Sequence, residues 1–181
     1  MEARIFKEQR KKLLFNTEGK VLEIGVGTGK NLPFYPHEVE LVGIDFSPGM
    51  LNKAKYRAQQ LKKPVTLLEM DVQSLDFPDN TFDSVVATCV FCSVPDPVAG
   101  LREIKRVCKP NGTIFMLEHV RSEGFLLGKV MDFLNFIPLF LYGANINRET
   151  VNSIKNAGFS DLEVTDVWYD ILKKICYRNN K

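Results

Sequence analysis

Glu23-Ile24-Gly25-Val26-Gly27-Thr28-Gly29 is the stretch that decides the reading of this chain. Three glycines at every second position follow directly on the apolar run Val21 to Ile24. A strand that ends this way turns sharply and brings main chain close to a ligand. A dinucleotide fingerprint would need its third glycine at position 30, and Lys30 stands there instead. Glu23 at the strand end also opposes a pyrophosphate, because near 4 Å and at an effective dielectric of 20 a unit-charge pair is worth about 4 kcal/mol. The loop is expected to lead into a helix.

Outward from this loop, short apolar runs alternate with helical spacing. Val21 to Ile24, Leu41 to Ile44, Val65 to Glu69, Phe82 to Thr88 and Thr113 to Glu118 read as strands, with helices filling the gaps. Pro48 to Leu61 carries Met50, Leu51, Ala54, Ala58 and Leu61 at helical spacing, with Ser47 as N-cap and Pro48 in the first turn. Pro97 to Val107 is a second helix, and Pro110-Asn111-Gly112 reads as the turn beyond it. Ala3 to Phe15 is an amphipathic leading helix whose basic face is read as a solvated outer face. Arg148 to Asn156 is a further helix, and Leu162 to Trp168 with Ile171 to Tyr177 form an antiparallel hairpin. The expected fold is α/β: a doubly wound, Rossmann-like sheet of about seven mostly parallel strands with an antiparallel C-terminal hairpin. The ligand then belongs beyond the carboxyl ends of the strands, at the switch point.

The 181 residues are read as one domain spanning 1–181, with 1–18 as the leading helix and 121–147 as an insertion or lid on the acceptor side. Hydrophobic residues make up 45% and charged ones 25%, which excludes disordered and fibrous classes. A net charge of 24 − 22 = +2 is too balanced for a nucleic-acid partner. Four irregularly spaced cysteines and a charged start, without a signal-like apolar run, point to the cytoplasm. The apolar stretch Gly124 to Gly143 is broken by Lys129, Asp132, Asn135 and Pro138, which disfavours a membrane span.

The chemistry follows from the strand ends. A carboxylate at Glu23 suits a ligand presenting an ammonium or sulfonium, as the methionine half of S-adenosylmethionine does. Asp45, twenty residues after Gly25 at the end of the second strand, is placed to accept hydrogen bonds from both ribose hydroxyls. After the third strand, the Asp71 carboxylate can take an adenine amino proton and the Val72 N–H can face the ring. Asp71 is equally readable as a turn cap.

The segments LEIGVGTGKN, VGIDFSPGML, MDVQSLDFPDNTFDSVVA and LREIKRVCKPNGTIFMLEH together resemble class I S-adenosylmethionine-dependent methyltransferases, in the type 11 group. This group also resembles the ubiquinone/menaquinone C-methyltransferases. FCSVPDP and LEHVRS are similar to the branch of phospholipid N-methyltransferases and methyltransferase-like thiol methyltransferases. The resemblance runs from about Gly19 to Cys176, nearly the whole chain. It implies S-adenosylmethionine as cofactor, Gly25, Gly27 and Gly29 along the methionine and ribose, Asp45 on the diol, and Phe46 and Met50 near the adenine. It also implies Asp71 and Val72 at the adenine edge, and Thr88, Cys89 and Phe91 under the departing methyl. Only about 19 residues precede the first strand, fewer than many relatives carry, so the cofactor lid is expected to be short or mobile.

On the acceptor side, Cys89-Val90-Phe91-Cys92 lacks a second pair at zinc spacing, and the only histidines are His37 and His119. No metal is expected, and Cys92 is read as packing or facing the acceptor. His119 at the fifth strand end is either a proton acceptor or structural. Arg121 either steadies an anionic acceptor or faces water. The stripe Leu126, Leu127, Val130, Phe133, Leu134 and Ile137 must be buried against something. An apolar lid over a small, largely apolar acceptor such as a thiol or quinol is favoured over docking on the core. A membrane interface beside a phospholipid is favoured least, because interfacial helices usually carry more Lys and Arg than Lys129 alone.

Overall fold

Seven strands form one sheet in the order β3-β2-β1-β4-β5-β7-β6 in the computed structural model, which describes residues 4–181. The strands are β1 (Lys20–Ile24), β2 (Glu40–Asp45), β3 (Thr66–Glu69), β4 (Phe82–Thr88), β5 (Cys108–His119), β6 (Glu163–Trp168) and β7 (Leu172–Arg178). β1 to β5 pair in parallel, while β7 pairs antiparallel with both β5 and β6. The expected α/β sheet with its antiparallel hairpin is therefore observed. The helices are α1 (Arg4–Leu14), α2 (Pro48–Leu61), α3 (Pro97–Val107), α4 (Phe125–Leu134), α5 (Phe136–Tyr142) and α6 (Thr150–Asn156). Ala3, the expected start of the leading helix, lies outside the described residues.

Two apolar layers explain the winding. On one face, Leu13 and Leu14 of α1 and Leu51, Ala54 and Ala58 of α2 pack over Val21, Leu41, Val86 and Phe115. On the other, Leu101, Ile104 and Val107 of α3 and Ile154 of α6 pack over Leu22, Ile44, Val85 and Met116. Each fully buried Leu, Ile, Val, Phe or Met side chain among them contributes about 1.5–3 kcal/mol. The helix starts are set locally: the Asp96 carboxylate accepts from the N–H groups of Val98 and Ala99, both at 3.0 Å, and Ser47 Oγ accepts from Met50 N–H at 3.4 Å. Lys62, left-handed at φ 50°, closes α2.

The expectation that helices fill every gap between strands fails twice. After the glycine loop the chain makes a single 3₁₀ turn, Leu32–Phe34, because Pro33 and Pro36 cannot continue a helical ladder. Between β3 and β4 it runs through turns. The turn expected at Pro110-Asn111-Gly112 is instead part of a long β5 that starts at Cys108. The C-terminal tail makes the difference: Asn111 N–H donates to Asn179 O and Asn179 N–H to Gly112 O, both at 2.8 Å.

The order of the strands reverses between β1 and β4. The carboxyl ends of β1, β2, β4 and β5 therefore open onto one crevice, where the glycine loop, Asp45, Thr88 and His119 all lie.

Candidate active site

The glycine loop divides its labour. A Cβ at Gly25 would meet Val90 Cγ2 at 2.7 Å, and one at Gly29 would meet Leu32 Cδ1 at 2.8 Å, so both glycines are packed against protein. Gly27 has open space: its nearest neighbour would be Gly25 O at 3.9 Å. Of the three, Gly27 keeps the cradle clear. Asp45 holds that cradle in shape, with Oδ2 accepting from Gly27 N–H at 2.8 Å and Oδ1 from Ser47 N–H at 2.9 Å. A carboxylate has about four lone-pair sites, so the two amides leave room for a ligand's hydroxyls. Phe46 and Met50 are exposed beside it, free to meet a flat ring.

Glu23 does not sit at an open strand tip. It is buried, and Asn31 Nδ2 donates to its Oε1 at 2.8 Å while also donating to Thr88 Oγ1 at 3.0 Å. Burial pushes its pKa up to about 7, against the opposing influence of Asn31, Tyr35 and the Arg10 charge; the Asp45 charge adds to the rise. The charged partner for a cationic ligand is thus an acid poised between its two forms, and a neighbouring cation would ionise it. Asn31 is the bridging residue that reasoning from sequence missed, although it closes the LEIGVGTGKN segment. It ties the cofactor end of β1 to the end of β4.

After β3, the Asp71 carboxylate accepts from Gln73 N–H at 2.9 Å and from Gln73 Nε2 at 2.8 Å, the geometry of a turn cap. Gln73 Oε1 in turn accepts from Asp96 N–H, so this carboxylate links the β3 and β4 loops. The Val72 side chain is buried near Gly100.

At the β4 end, Cys89 is held at φ 54°, a sparsely populated conformation for a residue with a Cβ. Its thiol is pushed up to about 12, first by burial and then by the Glu118 charge. Cys92 is raised by the same causes. Thiolate chemistry at this pair is disfavoured. Phe91 is a correction: it is fully buried in the layer under α3, beside Gly100, and cannot face an acceptor. Glu118 is also fully buried, accepts from Val90 N–H at 3.0 Å, and is pushed up to about 8 by burial. His119, half-buried at the end of β5, has its pKa lowered by burial and is therefore neutral at pH 7.

Arg121 is partly exposed, and its guanidinium is committed to Asp132 of α4, with Nη2 to Oδ2 at 2.8 Å and Nε to Oδ1 at 3.0 Å. The apolar stripe is the largest correction. Phe133 is 76% exposed and Leu126 76%; α4 buries Gly128 and Met131 instead. The α4 backbone must turn that small face inward, since a Cβ at Gly128 would strike the Arg121 guanidinium at 2.7 Å. The stripe thus stands in solvent rather than buried against the chain's own core. The connection after α5 does reach the site, where Asn145 N–H donates to Cys92 O at 2.9 Å.

A doubly wound sheet of this order, with a glycine cradle and acids at the ends of β1 and β2, defines a nucleoside-binding enzyme fold rather than a dinucleotide one. A family model described as a methyltransferase domain matches residues 22–116, and the chain belongs to that family, whose cofactor is S-adenosylmethionine. It is 34% identical over 178 residues to a human thiol S-methyltransferase, covering 87% of this chain and 70% of that protein. It is 46% identical over 109 residues to a phosphatidylethanolamine N-methyltransferase of Cereibacter sphaeroides, covering 59% of this chain and 54% of that protein. The chain therefore spans about half the length of the latter relative. A solved S-adenosylmethionine-dependent methyltransferase from Aquifex aeolicus shares the fold with a TM-score of 0.75 at 20% identity, over 98% of this chain and 93% of that one. Gly27, Asp45 and Glu23 fit the cofactor: an open cradle, spare acceptor sites, and a buried acid that a cation would ionise.

Proposed function

We propose that this chain transfers a methyl group by direct displacement to a largely apolar acceptor, a thiol or quinol, and releases S-adenosylhomocysteine. The observation that carries the reading is the Asn31 bridge between Glu23 and Thr88, which locks the cofactor cradle to the strand end beside His119. S-adenosylmethionine, when bound, supplies a methyl already activated on a sulfonium. The chain's own residues then have three tasks. Gly27, Asp45 and Glu23 hold the cofactor. Thr88 and Cys89 shape the floor beneath the acceptor. His119, neutral by burial, accepts a proton at an imidazole nitrogen. Thiols near pKa 8.5 need little more than this help and correct alignment. Polar amines are expected to react poorly.

A second reading, transfer to the amine of phosphatidylethanolamine, is favoured by the exposed apolar surface of α4 and α5 and by the relative named for that lipid. The test is incubation with S-adenosylmethionine and a panel of thiols, quinols, phenols, amines and phosphatidylethanolamine, following S-adenosylhomocysteine. Product with thiols or quinols supports the first reading, and product with the lipid alone replaces it with the second. Cofactor binding without product from any acceptor would reduce the chain to a binding module.

A further inference from the structure

Residues 125–141 expose eleven of the twenty large hydrophobic side chains that stand in solvent in the described chain, among them Phe125, Leu126, Phe133, Phe136, Phe140 and Leu141. We propose that α4, α5 and the Trp168–Tyr169 turn form one surface that lies in the interface of a phospholipid bilayer, whichever acceptor is methylated.

Two separate segments make this surface. Asp170, directly after the turn, fastens it to the start of α4: its Oδ2 accepts from Ser122 Oγ and Glu123 N–H, both at 2.7 Å, and from Gly124 N–H at 3.3 Å. The turn carries Trp168 at 49% and Tyr169 at 75% exposure. These are the two residue types enriched at bilayer interfaces, where an apolar ring meets polar headgroups.

The shape of the apolar surface selects a fluid partner over a folded one. At about 100° per residue, the exposed apolar side chains of α4 sweep an arc of about 200°, and those of α5 a similar arc. A helix docked on another protein buries a stripe nearer 100° wide and turns its remainder to water. Acyl chains, by contrast, wet a helix on every side. The two helices, of ten and seven residues, extend about 15 and 10 Å, far short of a ~30 Å hydrocarbon core. No helix among the described residues is long and apolar enough to cross a membrane. The surface therefore rests in the interface.

Charge agrees with that placement. The acid of α4, Asp132, is neutralised by Arg121. Lys129 lays its ammonium over the Phe125 ring, 4.1 Å from the centroid, from where a long stem can snorkel to headgroups. α1 packs against β5, the strand that runs into α4, and exposes Arg4, Lys7, Lys11 and Lys12 against Glu8 alone. These exposed cations of α1 add to the attraction of the whole chain to anionic lipid.

Trp168 is the single tryptophan of the chain and reports on the surface directly. The full chain should co-sediment with phosphatidylcholine vesicles containing phosphatidylglycerol, with a blue shift of Trp168 emission and quenching by brominated acyl chains. Leu126→Asp and Phe140→Asp should each weaken partitioning roughly tenfold or more. Calorimetry should show both variants binding S-adenosylmethionine like the wild type, which separates loss of docking from loss of the fold or of the cofactor site. A wild type that ignores vesicles overturns the proposal. So does binding that both variants leave intact, which would place the attraction on α1 alone. A dimer in sedimentation analysis that Phe140→Asp dissociates, without affinity for vesicles, would assign the surface to a second copy of the chain.

Discussion

The two rims of the crevice are built on opposite principles. On the cofactor rim, residues far apart in the chain are hydrogen-bonded into one piece: Asp45 to Gly27, and Asn31 to both Glu23 and Thr88. On the opposite rim, α4 and α5 are fastened at their ends, by Arg121 to Asp132 and by Asn135 and Asn145 to each other and to Cys92, while most of their side chains stand in water. The first rim is finished before a ligand arrives, as expected for a site that must recognise one small molecule. The second gains its packing from what it meets.

The comparison breaks most readily on the cofactor rim. Gly27→Val fills the one open position of the cradle at φ 54° and should abolish measurable S-adenosylmethionine binding while leaving the circular dichroism spectrum intact. Asp45→Ala removes two charge-assisted bonds, one to Gly27 of the glycine loop and one to Ser47 at the start of α2, as well as the proposed ribose acceptor. At roughly 1.5–3 kcal/mol per such bond, affinity should fall by at least about tenfold, and a loss below threefold would remove Asp45 from the site.

A smaller effect separates stability from binding. Glu118 has its pKa raised from 4.5 to about 8 by burial. The folded state therefore favours its protonated form, and this stabilisation is full below about pH 4.5 and disappears as pH rises through about 8. Glu118→Gln keeps an acceptor for Val90 N–H without the buried charge. It should raise the melting temperature by about 2–4 °C above pH 8 and change it little near pH 5. An equal shift at both pH values would place the effect elsewhere. The smallest effect on the cofactor belongs to Arg121→Ala. It should release the α4 amides to faster hydrogen exchange and leave S-adenosylmethionine affinity within about twofold, because Arg121 touches Asp132 and Ser122 rather than the cradle. Unchanged exchange in α4 would show that the ion pair fastens nothing.

How much was legible in the sequence follows the same division. Ser47 and Pro48 announce α2, the glycine spacing announces the cradle, and Asp45 is found by its distance from Gly25; each signal is local in sequence. The raised pKa of Glu23 was not legible, because it balances burial against Asn31 and Tyr35, which flank the 3₁₀ turn, and the charge of Arg10 in α1. The long β5 was hidden because its first residues are held by Asn179, contributed by the C-terminal tail. Phe91 was misread as facing an acceptor because a residue at a strand end has two sides, and Gly100 of α3 leaves room for its ring inside. The apolar stripe of α4 was legible as a stripe, but its expected burial is not found. Periodicity reports that a face is apolar, but Gly128 decides which face can pack against Arg121 and Ser122.

In the proposed function a buried acid at the end of β1 receives the cationic half of S-adenosylmethionine. Glu23 titrates near pH 7, and a ligand cation favours its ionised form, so affinity should rise between about pH 6 and 8 as the proton is lost. Titration calorimetry with S-adenosylmethionine at neutral pH, in two buffers of different ionisation enthalpy, reads that proton directly. The wild type should bind and release a fraction of a proton, and Glu23→Gln should bind more weakly with no release above the background set by the ligand itself. Absence of binding by the wild type, or the same proton release from both proteins, would contradict the account.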